Sequence, residues 1–467
     1  MELKRDLGLG AAISIVIGTV IGSGIFLVPH DMIARVHTLG MVFFIFVFGG
    51  LLSLAGALSY AELGAALPEA GGEYAYLREA YGPFWGFLYS WTQMWVAKSG
   101  SIATLATGFF LYLANFFPFL EKILGKIPLP LGPSGTPLEI KYGQIFAIIL
   151  ILGLGGLNYF GVKIGGDVQT AVTIVKVALF CAIIVMGLLL GKAHEPTLTS
   201  SIPLTSAGFF AALVAALWAY DGWNNISMVA SEVREPQRNL PVALIGGTLA
   251  VMAIYLCANW AYFHVLTPEQ VGANPRVAAE MMRRVVGEWG ASAVSIAAMI
   301  SIFAALNGSI LTGSRVPYAA ARDGLFFRAI AWVHPQFRTP GISIIVLTVW
   351  ASVLIVLSGG YKELFTYVIF ASWILYGMAT ASVIVLRRKR PDLPRPYRTL
   401  GYPFVPLLFV SVAALLVIST LLDSPSESLK GLVIVLAGVP FYYYWKSRST
   451  RQPTASNVPI QASNRRK

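Results

Sequence analysis

The sequence predicts an all-α integral membrane protein with twelve transmembrane helices. Of its 467 residues, 56% are hydrophobic and only 12% are charged, which is about half the charged share of a soluble domain. The mean hydropathy is +0.70. The apolar residues fall into segments of about 20 residues or more, long enough to cross a bilayer as helices. This composition excludes a disordered chain, and two cysteines are too few for a disulfide scaffold.

Twelve apolar segments are candidate spans. They are 7–29, 38–66, 84–115, 143–160, 166–191, 206–231, 240–264, 291–316, 341–358, 362–386, 402–422 and 429–446. The first one lacks the small-residue cleavage site of a signal peptide and is long enough to span, so we expect it to be retained.

The net charge of +12 has two interpretations, nucleic-acid binding or an excess of Lys and Arg on cytoplasmic loops. The basic residues are spread over many short loops, which argues against a nucleic-acid surface. If the N-terminus is placed on the cytoplasmic side, 22 of the 34 Lys and Arg residues lie on that side and 10 lie on the outer side. The remaining two, Lys98 and Lys176, lie within spans. This bias predicts cytoplasmic termini in a cell membrane. The polar segment 447–467 is predicted to be a disordered cytoplasmic tail.

Span one contains three glycines within seven residues, in Gly18-Thr19-Val20-Ile21-Gly22-Ser23-Gly24-Ile25-Phe26. Each weakens a helix by about 1 kcal/mol relative to alanine, although glycines also serve close helix packing. Span six contains Trp218-Ala219-Tyr220-Asp221-Gly222-Trp223-Asn224-Asn225. An aspartate at membrane depth costs at least about 2.5 kcal/mol and indicates function, unless it pairs with a lysine or caps a half-helix.

The two interruptions lie five spans apart, so the second runs through the membrane in the opposite direction. Matching interruptions in two inverted halves are typical of a transporter site at the midplane. The half-helix starting near Ile25 would offer N–H groups to a carboxylate. The half-helix ending near Trp218 would offer carbonyls to an ammonium group. Together they fit a free α-amino acid.

Two lysines lie within spans. Lys176 is deep in span five, where a buried lysine can carry a proton or replace a metal cation; the alternative is snorkelling to an interface. Lys98, in span three, either lines the substrate path or pairs with an acid.

The other reactive side chains predict no cofactor. No histidine pair has metal-ligand spacing, so we expect no metal. No phosphate-binding loop is present, and Cys181 and Cys257 are expected to be small apolar fillers.

Five motifs resemble the amino acid–polyamine–organocation superfamily, and more closely the L-type amino acid transporter family, over about residues 7–446. They are Gly18–Phe26, Pro68-Glu69-Ala70-Gly71-Gly72-Glu73-Tyr74, Trp218–Asn224, Asn307-Gly308-Ser309 with Gly313-Ser314-Arg315, and Arg390-Pro391-Asp392-Leu393-Pro394-Arg395-Pro396-Tyr397. The resemblance implies a secondary-active amino acid transporter with a LeuT-like five-plus-five inverted repeat. The repeats would be 7–191 and 206–386, with helices 1 and 6 unwound at the midplane and helices 11 and 12 at 402–446.

The resemblance also implies site residues. The substrate carboxylate would meet the N–H groups of Ser23, Gly24 and Ile25, in a break that includes Gly22. The ammonium group would meet the carbonyls of Ile21, Trp218 and Ala219. Trp218 would be a gate over the substrate. Lys176 would stand where sodium-coupled relatives hold sodium, which implies sodium-independent exchange.

Two features depart from that family. Residues 116–141 contain no cysteine, so no disulfide-linked heavy chain is expected. Asp221 leaves the substrate open, with neutral L-amino acids expected first and cationic ones as the alternative. Proton-coupled uptake is an alternative coupling mode. A membrane enzyme or channel is the alternative class, although the spans contain neither an acid–base cluster nor a repeated pore segment.

Overall fold

The chain is described by a computed structural model that covers residues 2–127, 138–193, 205–357, 361–423 and 425–449. Twenty α-helices make up most of it. They are α1 Leu9–Val20, α2 Gly24–Val36, α3 Leu39–Ala66, α4 Glu73–Tyr81, α5 Pro83–Thr92, α6 Lys98–Leu113, α7 Tyr142–Tyr159, α8 Val162–Leu190, α9 Ser206–Tyr220, α10 Asn225–Met228, α11 Pro236–Val265, α12 Pro268–Ala273, α13 Val277–Val286, α14 Glu288–Gly313, α15 Arg315–Arg322, α16 Gly341–Leu357, α17 Tyr361–Lys389, α18 Phe404–Asp423, α19 Pro425–Leu436 and α20 Gly438–Ser449.

Helices lie at all twelve predicted positions. Within the described residues, eight helical segments are long and apolar enough to cross a membrane, and α9 and α16 are shorter apolar helices. The chain is therefore a multi-pass membrane protein, while the number of twelve spans stays a prediction.

Several predicted boundaries differ from the structure. The first span does not stop at residue 29 but continues through Pro29 to Val36. A five-residue π-helical turn, Gln93–Ala97, connects α5 to α6. The last candidate, 429–446, falls on two helices, α19 and α20. The structure also contains short helices between spans, such as α4 and α13, which apolar length alone does not detect because their surfaces are partly charged.

An antiparallel hairpin follows α6, formed by β1 Ile123–Ile127 and β2 Leu138–Lys141. The sequence did not predict it. At the other end of the chain, 447–449 complete α20, and the rest of the predicted tail, 450–467, lies outside the described residues.

Helix α1 lies at the centre of the bundle, where it packs against α8, α11 and α14, while α2 packs against α9. Small residues permit this closeness. A Cβ atom on Gly247 of α11 would lie 2.7 Å from Val16, and one on Gly308 of α14 would lie 2.4 Å from Thr19. The interrupted helices are thus surrounded by the rest of the fold.

Candidate functional site

The first helix is interrupted where the glycines predicted it. Helix α1 ends at Val20 and α2 begins at Gly24. Because Gly24 is in the first turn of α2, its N–H group has no acceptor within that helix, and the same holds for Ile25. A Cβ atom on Gly24 would lie 2.8 Å from the Cα atom of Ala219. The glycine therefore lets α2 start directly against α9.

The second interruption follows Tyr220, the last residue of α9. Asp221 is extended, with φ −61° and ψ 143°, and Gly222 has φ +106°, a conformation that favours glycine. The Thr19 hydroxyl lies 2.9 Å from the Gly222 carbonyl oxygen. The sequence therefore brings two broken helices into direct contact.

A tyrosine from α11 also joins the two breaks. The hydroxyl of Tyr255 lies 3.0 Å from the Val20 carbonyl oxygen and 2.8 Å from that of Ala219. Both carbonyls belong to the last turns of their helices, where carbonyl groups lack intrahelical partners. The single O–H group of this buried tyrosine can donate to one of the two carbonyl oxygens at a time, and Ala219 is the nearer one.

A small cavity of about 30 Å³ lies beside this junction. Its lining consists mainly of small and polar side chains, namely Thr19, Val20, Gly22, Ser23, Gly24, Ser101, Leu105, Trp218, Asp221, Gly222, Asn225 and Ser309. Five of the predicted substrate residues line it: Gly22, Ser23, Gly24, Trp218 and Asp221. Three others, Ile21, Ile25 and Ala219, are buried and do not belong to the lining.

Sequence reasoning missed several lining residues. Ser101 and Leu105 lie one helical turn apart on α6, and Asn225 begins α10, directly after the second break. Ser309 was quoted only within a family motif. The sequence signal for Ser101 and Asn225 is their polarity, because each polar side chain within a membrane span needs a partner or a cavity.

Lys176 meets the first break directly. Its ammonium group donates to the carbonyl oxygens of Gly18 at 2.7 Å and of Ile21 at 2.6 Å, and its side chain is buried. Snorkelling is therefore not its role in this structure. The Ser301 hydroxyl donates to the same Ile21 oxygen at 2.8 Å. The two lone pairs of the Ile21 carbonyl are thus both engaged.

Asp221 and Lys98 belong to one polar group around the second break. The Tyr376 hydroxyl donates to Asp221 Oδ1 at 3.1 Å, and the Lys98 ammonium donates to Asn225 Oδ1 at 2.7 Å. Neither interpretation of Lys98 is confirmed: Lys98 is not among the residues that line the cavity, and its hydrogen-bond partner is an amide oxygen rather than an acid.

Glu73 contributes a carboxyl group to the polar cluster around the second break. No function was predicted for it from the sequence. It starts α4, outside the membrane-spanning helices, and it accepts a hydrogen bond from the Asn224 amide. Complete burial raises its pKa from 4.5 to about 7. The sequence signal for Glu73 is a carboxylate directly after two glycines, Gly71 and Gly72.

Within the described ranges, no group of three His, Cys, Asp or Glu side chains is placed to hold a metal ion. The interpretation of the cysteines was wrong. Cys181 and Cys257 have exposed side chains, because they lie on the outer sides of α8 and α11 rather than in the core.

The helices and the buried, interrupted centre define a multi-pass membrane protein with an internal polar cavity. The amino acid permease family matches residues 7–442, and the chain belongs to this family.

Three curated relatives match the chain over nearly its whole length. The serine/threonine exchanger SteT of Bacillus subtilis (strain 168) is 36% identical over 96% of this chain and 98% of its own. The b(0,+)-type amino acid transporter 1 of Mus musculus is 32% identical, covering 97% and 92%. The large neutral amino acids transporter small subunit 2 of Mus musculus is also 32% identical, covering 96% and 83%.

Proposed function

We propose that this protein is a secondary-active, sodium-independent exchanger of neutral L-amino acids that works by alternating access. The observation that carries the proposal is the junction of two broken helices beside a small polar cavity. One break presents first-turn N–H groups, and the other presents last-turn carbonyls. This pair of opposite partial charges suits a zwitterion. The relatives named as amino acid transporters and exchangers support the same assignment.

The substrate carboxylate would bind the N–H groups of Ser23, Gly24 and Ile25 at the start of α2. The ammonium group would bind near the end of α9, at the carbonyls of Trp218 and Ala219. Each of these has one hydrogen-bond partner already, the Asp221 N–H group and the Tyr255 hydroxyl, and one lone pair left. Ile21 is a poorer partner than we expected, because Lys176 and Ser301 already engage its carbonyl oxygen. Trp218, on the cavity wall, would act as the gate.

The Lys176 ammonium supports sodium independence. It places a positive charge on two backbone carbonyls of the first break, at 2.6 and 2.7 Å. A cation coordinated by the same oxygens would face this charge at close range. The lysine therefore supplies the positive charge that a bound metal ion would otherwise supply.

The architecture that follows from the proposal is a LeuT-like repeat of 7–191 and 206–386, with 402–446 outside it. The paired breaks in the first and sixth helices support this division. The bias of basic residues supports cytoplasmic termini in the cell membrane. The lack of cysteine in 116–141 supports function without a disulfide-linked heavy chain.

A wider, cationic substrate range is the second candidate, because the Asp221 carboxylate lines the cavity. A carboxylate there would attract an arginine or lysine side chain. Proton-coupled uptake is the alternative mode of coupling.

Counterflow in proteoliposomes tests the proposal. Vesicles loaded with labelled serine should lose label at least tenfold faster when an external neutral amino acid is added, with choline in place of sodium. An imposed pH gradient should leave the rate unchanged. A failure of all twenty amino acids to stimulate efflux would refute exchange, and acceleration by the pH gradient alone would favour proton coupling.

A further inference from the structure

The segment that follows α17 is folded back onto α3 by one buried carboxylate. Glu62 of α3 accepts hydrogen bonds from the Arg387 guanidinium at 2.9 and 2.6 Å and from the Thr399 N–H group at 2.7 Å. The Arg395 guanidinium lies 3.4 Å from the same carboxylate. Because Glu62 is only 2% exposed, its charge needs these partners. The loop between α17 and α18 therefore has a fixed position at this end of the bundle.

Two arginines at this end of α17 and in the loop are left without an acid. Lys389 donates to a backbone carbonyl oxygen of α4 at 2.9 Å, and Arg390 lies 3.5 Å from Glu79. Arg388 and Arg398 are exposed, and within the described part of the chain neither of them pairs with a carboxylate. Each directly adjoins, along the chain, a residue that donates to the buried carboxylate. The fixed part of the loop thus determines where both side chains emerge.

Exposed apolar side chains follow the second of these arginines. Leu400 is 65% exposed, and Phe404, the first residue of α18, is 78% exposed. Helix α18 is long and apolar enough to cross a membrane from this residue onward. Exposed apolar surface at such a point indicates contact with lipid. Arg398, shortly before Leu400, therefore lies at the level of the lipid headgroups, where long basic side chains place their charges.

We propose that Arg388 and Arg398 bind the phosphate headgroup of an anionic phospholipid. The acyl chains of this lipid pack against Leu400 and Phe404. Guanidinium groups bind phosphate oxygens in a bidentate manner, and the charges of these two arginines are not neutralised within the protein. A soluble phosphate or an acidic protein would gain nothing from apolar side chains at the membrane surface, so the structure favours a lipid.

The position of the site agrees with the proposed orientation. With cytoplasmic termini, this end of the bundle faces the cytoplasm, the side on which anionic lipid headgroups attract clusters of basic residues. The site is also separate from the cavity at the two breaks. Lipid binding can therefore be measured without any transported substrate, and its failure would leave the proposed function untouched.

Photo-crosslinking in phosphatidylcholine vesicles tests this site. The vesicles contain a phosphatidylglycerol or a phosphatidylcholine probe, each with a photoreactive group near the carboxyl end of one acyl chain, and labelling of 399–408 is measured by peptide mass spectrometry. Each arginine near a membrane surface strengthens the binding of an anionic lipid about fivefold. The phosphatidylglycerol probe should therefore label this segment about 25-fold more than the other probe. Arg388→Gln or Arg398→Gln should lower this ratio about fivefold, and the double variant should lower it to about one.

Arg238→Gln is the matched control, because this exposed arginine lies 4.0 Å from an acid, Glu235, and should leave the ratio unchanged. Equal labelling by both probes in the wild type would overturn the proposal, and so would a wild-type ratio in a double variant that is folded by gel filtration. Glycerol phosphate or a polyglutamate peptide, present in excess on both sides of the membrane, should not reduce labelling. Blocking by glycerol phosphate would identify a site for free phosphate, and blocking by polyglutamate a site for an acidic protein; either result would also overturn the lipid site.

Discussion

At the scale of the residue, Lys176 shows how one side chain stabilises a broken helix. The last carbonyls of an α-helix have no intrahelical donors, and burying them without partners is unfavourable. The ammonium group from α8 donates to two of them, on Gly18 and Ile21. A water molecule would satisfy the same oxygens, but it would bring no positive charge. Lys176 therefore provides both hydrogen bonds and a positive charge at the end of α1.

We predict that Lys176→Ala lowers the exchange rate at least tenfold and the unfolding temperature by several degrees. The variant loses two charge-assisted hydrogen bonds, each of which contributes about 1.5–3 kcal/mol. Counterflow in proteoliposomes and thermal unfolding in detergent measure the two effects. Lys163→Ala, an exposed lysine on the same helix, is the control and should behave like the wild type. Wild-type exchange in Lys176→Ala would show that the break does not need the ammonium.

At the scale of the element, helix α4 holds the second break in place. Gly71 N–H donates to the Met228 carbonyl oxygen at 2.8 Å, which connects the start of α4 to the end of α10. Gly72 has φ +51°, and a Cβ atom there would lie 2.7 Å from the backbone carbon of Ser227. Glu73 then accepts from Asn224. The Gly71-Gly72-Glu73 sequence is thus a docking element for α10.

Sequence reasoning located both breaks because glycines and an aspartate are conspicuous in apolar spans. Lys176, predicted to be a buried lysine, is buried in the structure. Sequence reasoning did not foresee the docking of α4 on α10, because that contact depends on how two distant loops meet in space. Ser101 was not predicted to line a cavity, and Asn225 was named only as part of the span-six motif, because a polar residue in a span does not by itself indicate which neighbour it faces.

We predict that Glu73→Gln makes stability less dependent on pH. Burial raises the pKa of Glu73 from 4.5 to about 7, so between these values the folded state binds more protons than the unfolded state. Wild-type stability therefore falls as the pH rises through this window, by a contribution on the order of 2–3 kcal/mol. Glutamine removes this contribution. The unfolding temperature of the variant minus that of the wild type should therefore be larger at pH 8 than at pH 5.

The control for this prediction is Glu73→Asp, which keeps a carboxyl group at the same place and should keep the pH dependence. Unfolding is followed by fluorescence in detergent at several pH values. Parallel curves for the wild type and Glu73→Gln would contradict the assignment of this dependence to Glu73.

At the scale of the whole molecule, one end of the bundle is held together by contacts from several helices. Leu7 N–H donates to the Glu232 carbonyl oxygen at 3.0 Å. The Glu232 carboxylate pairs with Arg315, and both side chains are fully buried. Nearby, Asp323 accepts from Arg78 at 2.7 Å and from Tyr74 at 2.7 Å. If the protein works by the alternating access proposed above and this end faces the cytoplasm, these contacts have to separate when this end opens.

We predict that Asp323→Asn shifts the protein towards the state that is open at this end. The substitution removes the ion pair with Arg78 and weakens the bond to Tyr74. A loss on the order of 1 kcal/mol, as expected for partly exposed charges, corresponds to a shift of about fivefold in the population. The buried Glu232–Arg315 pair remains, so the protein should still fold.

Labelling of a cavity cysteine measures this shift. With Cys181 and Cys257 replaced by serine, Ser101→Cys places a single thiol on the cavity wall. An impermeant thiol reagent should modify it about fivefold faster in inverted membrane vesicles when Asp323→Asn is present, and more slowly in right-side-out vesicles. Glu139→Gln, which breaks the exposed pair with Lys126 in the hairpin, is the control and should change neither rate. A shift towards the state open at this end must change the labelling rates in inverted and right-side-out vesicles in opposite directions. Equally faster labelling from both sides would indicate loosening of the fold and would contradict a gating role for Asp323.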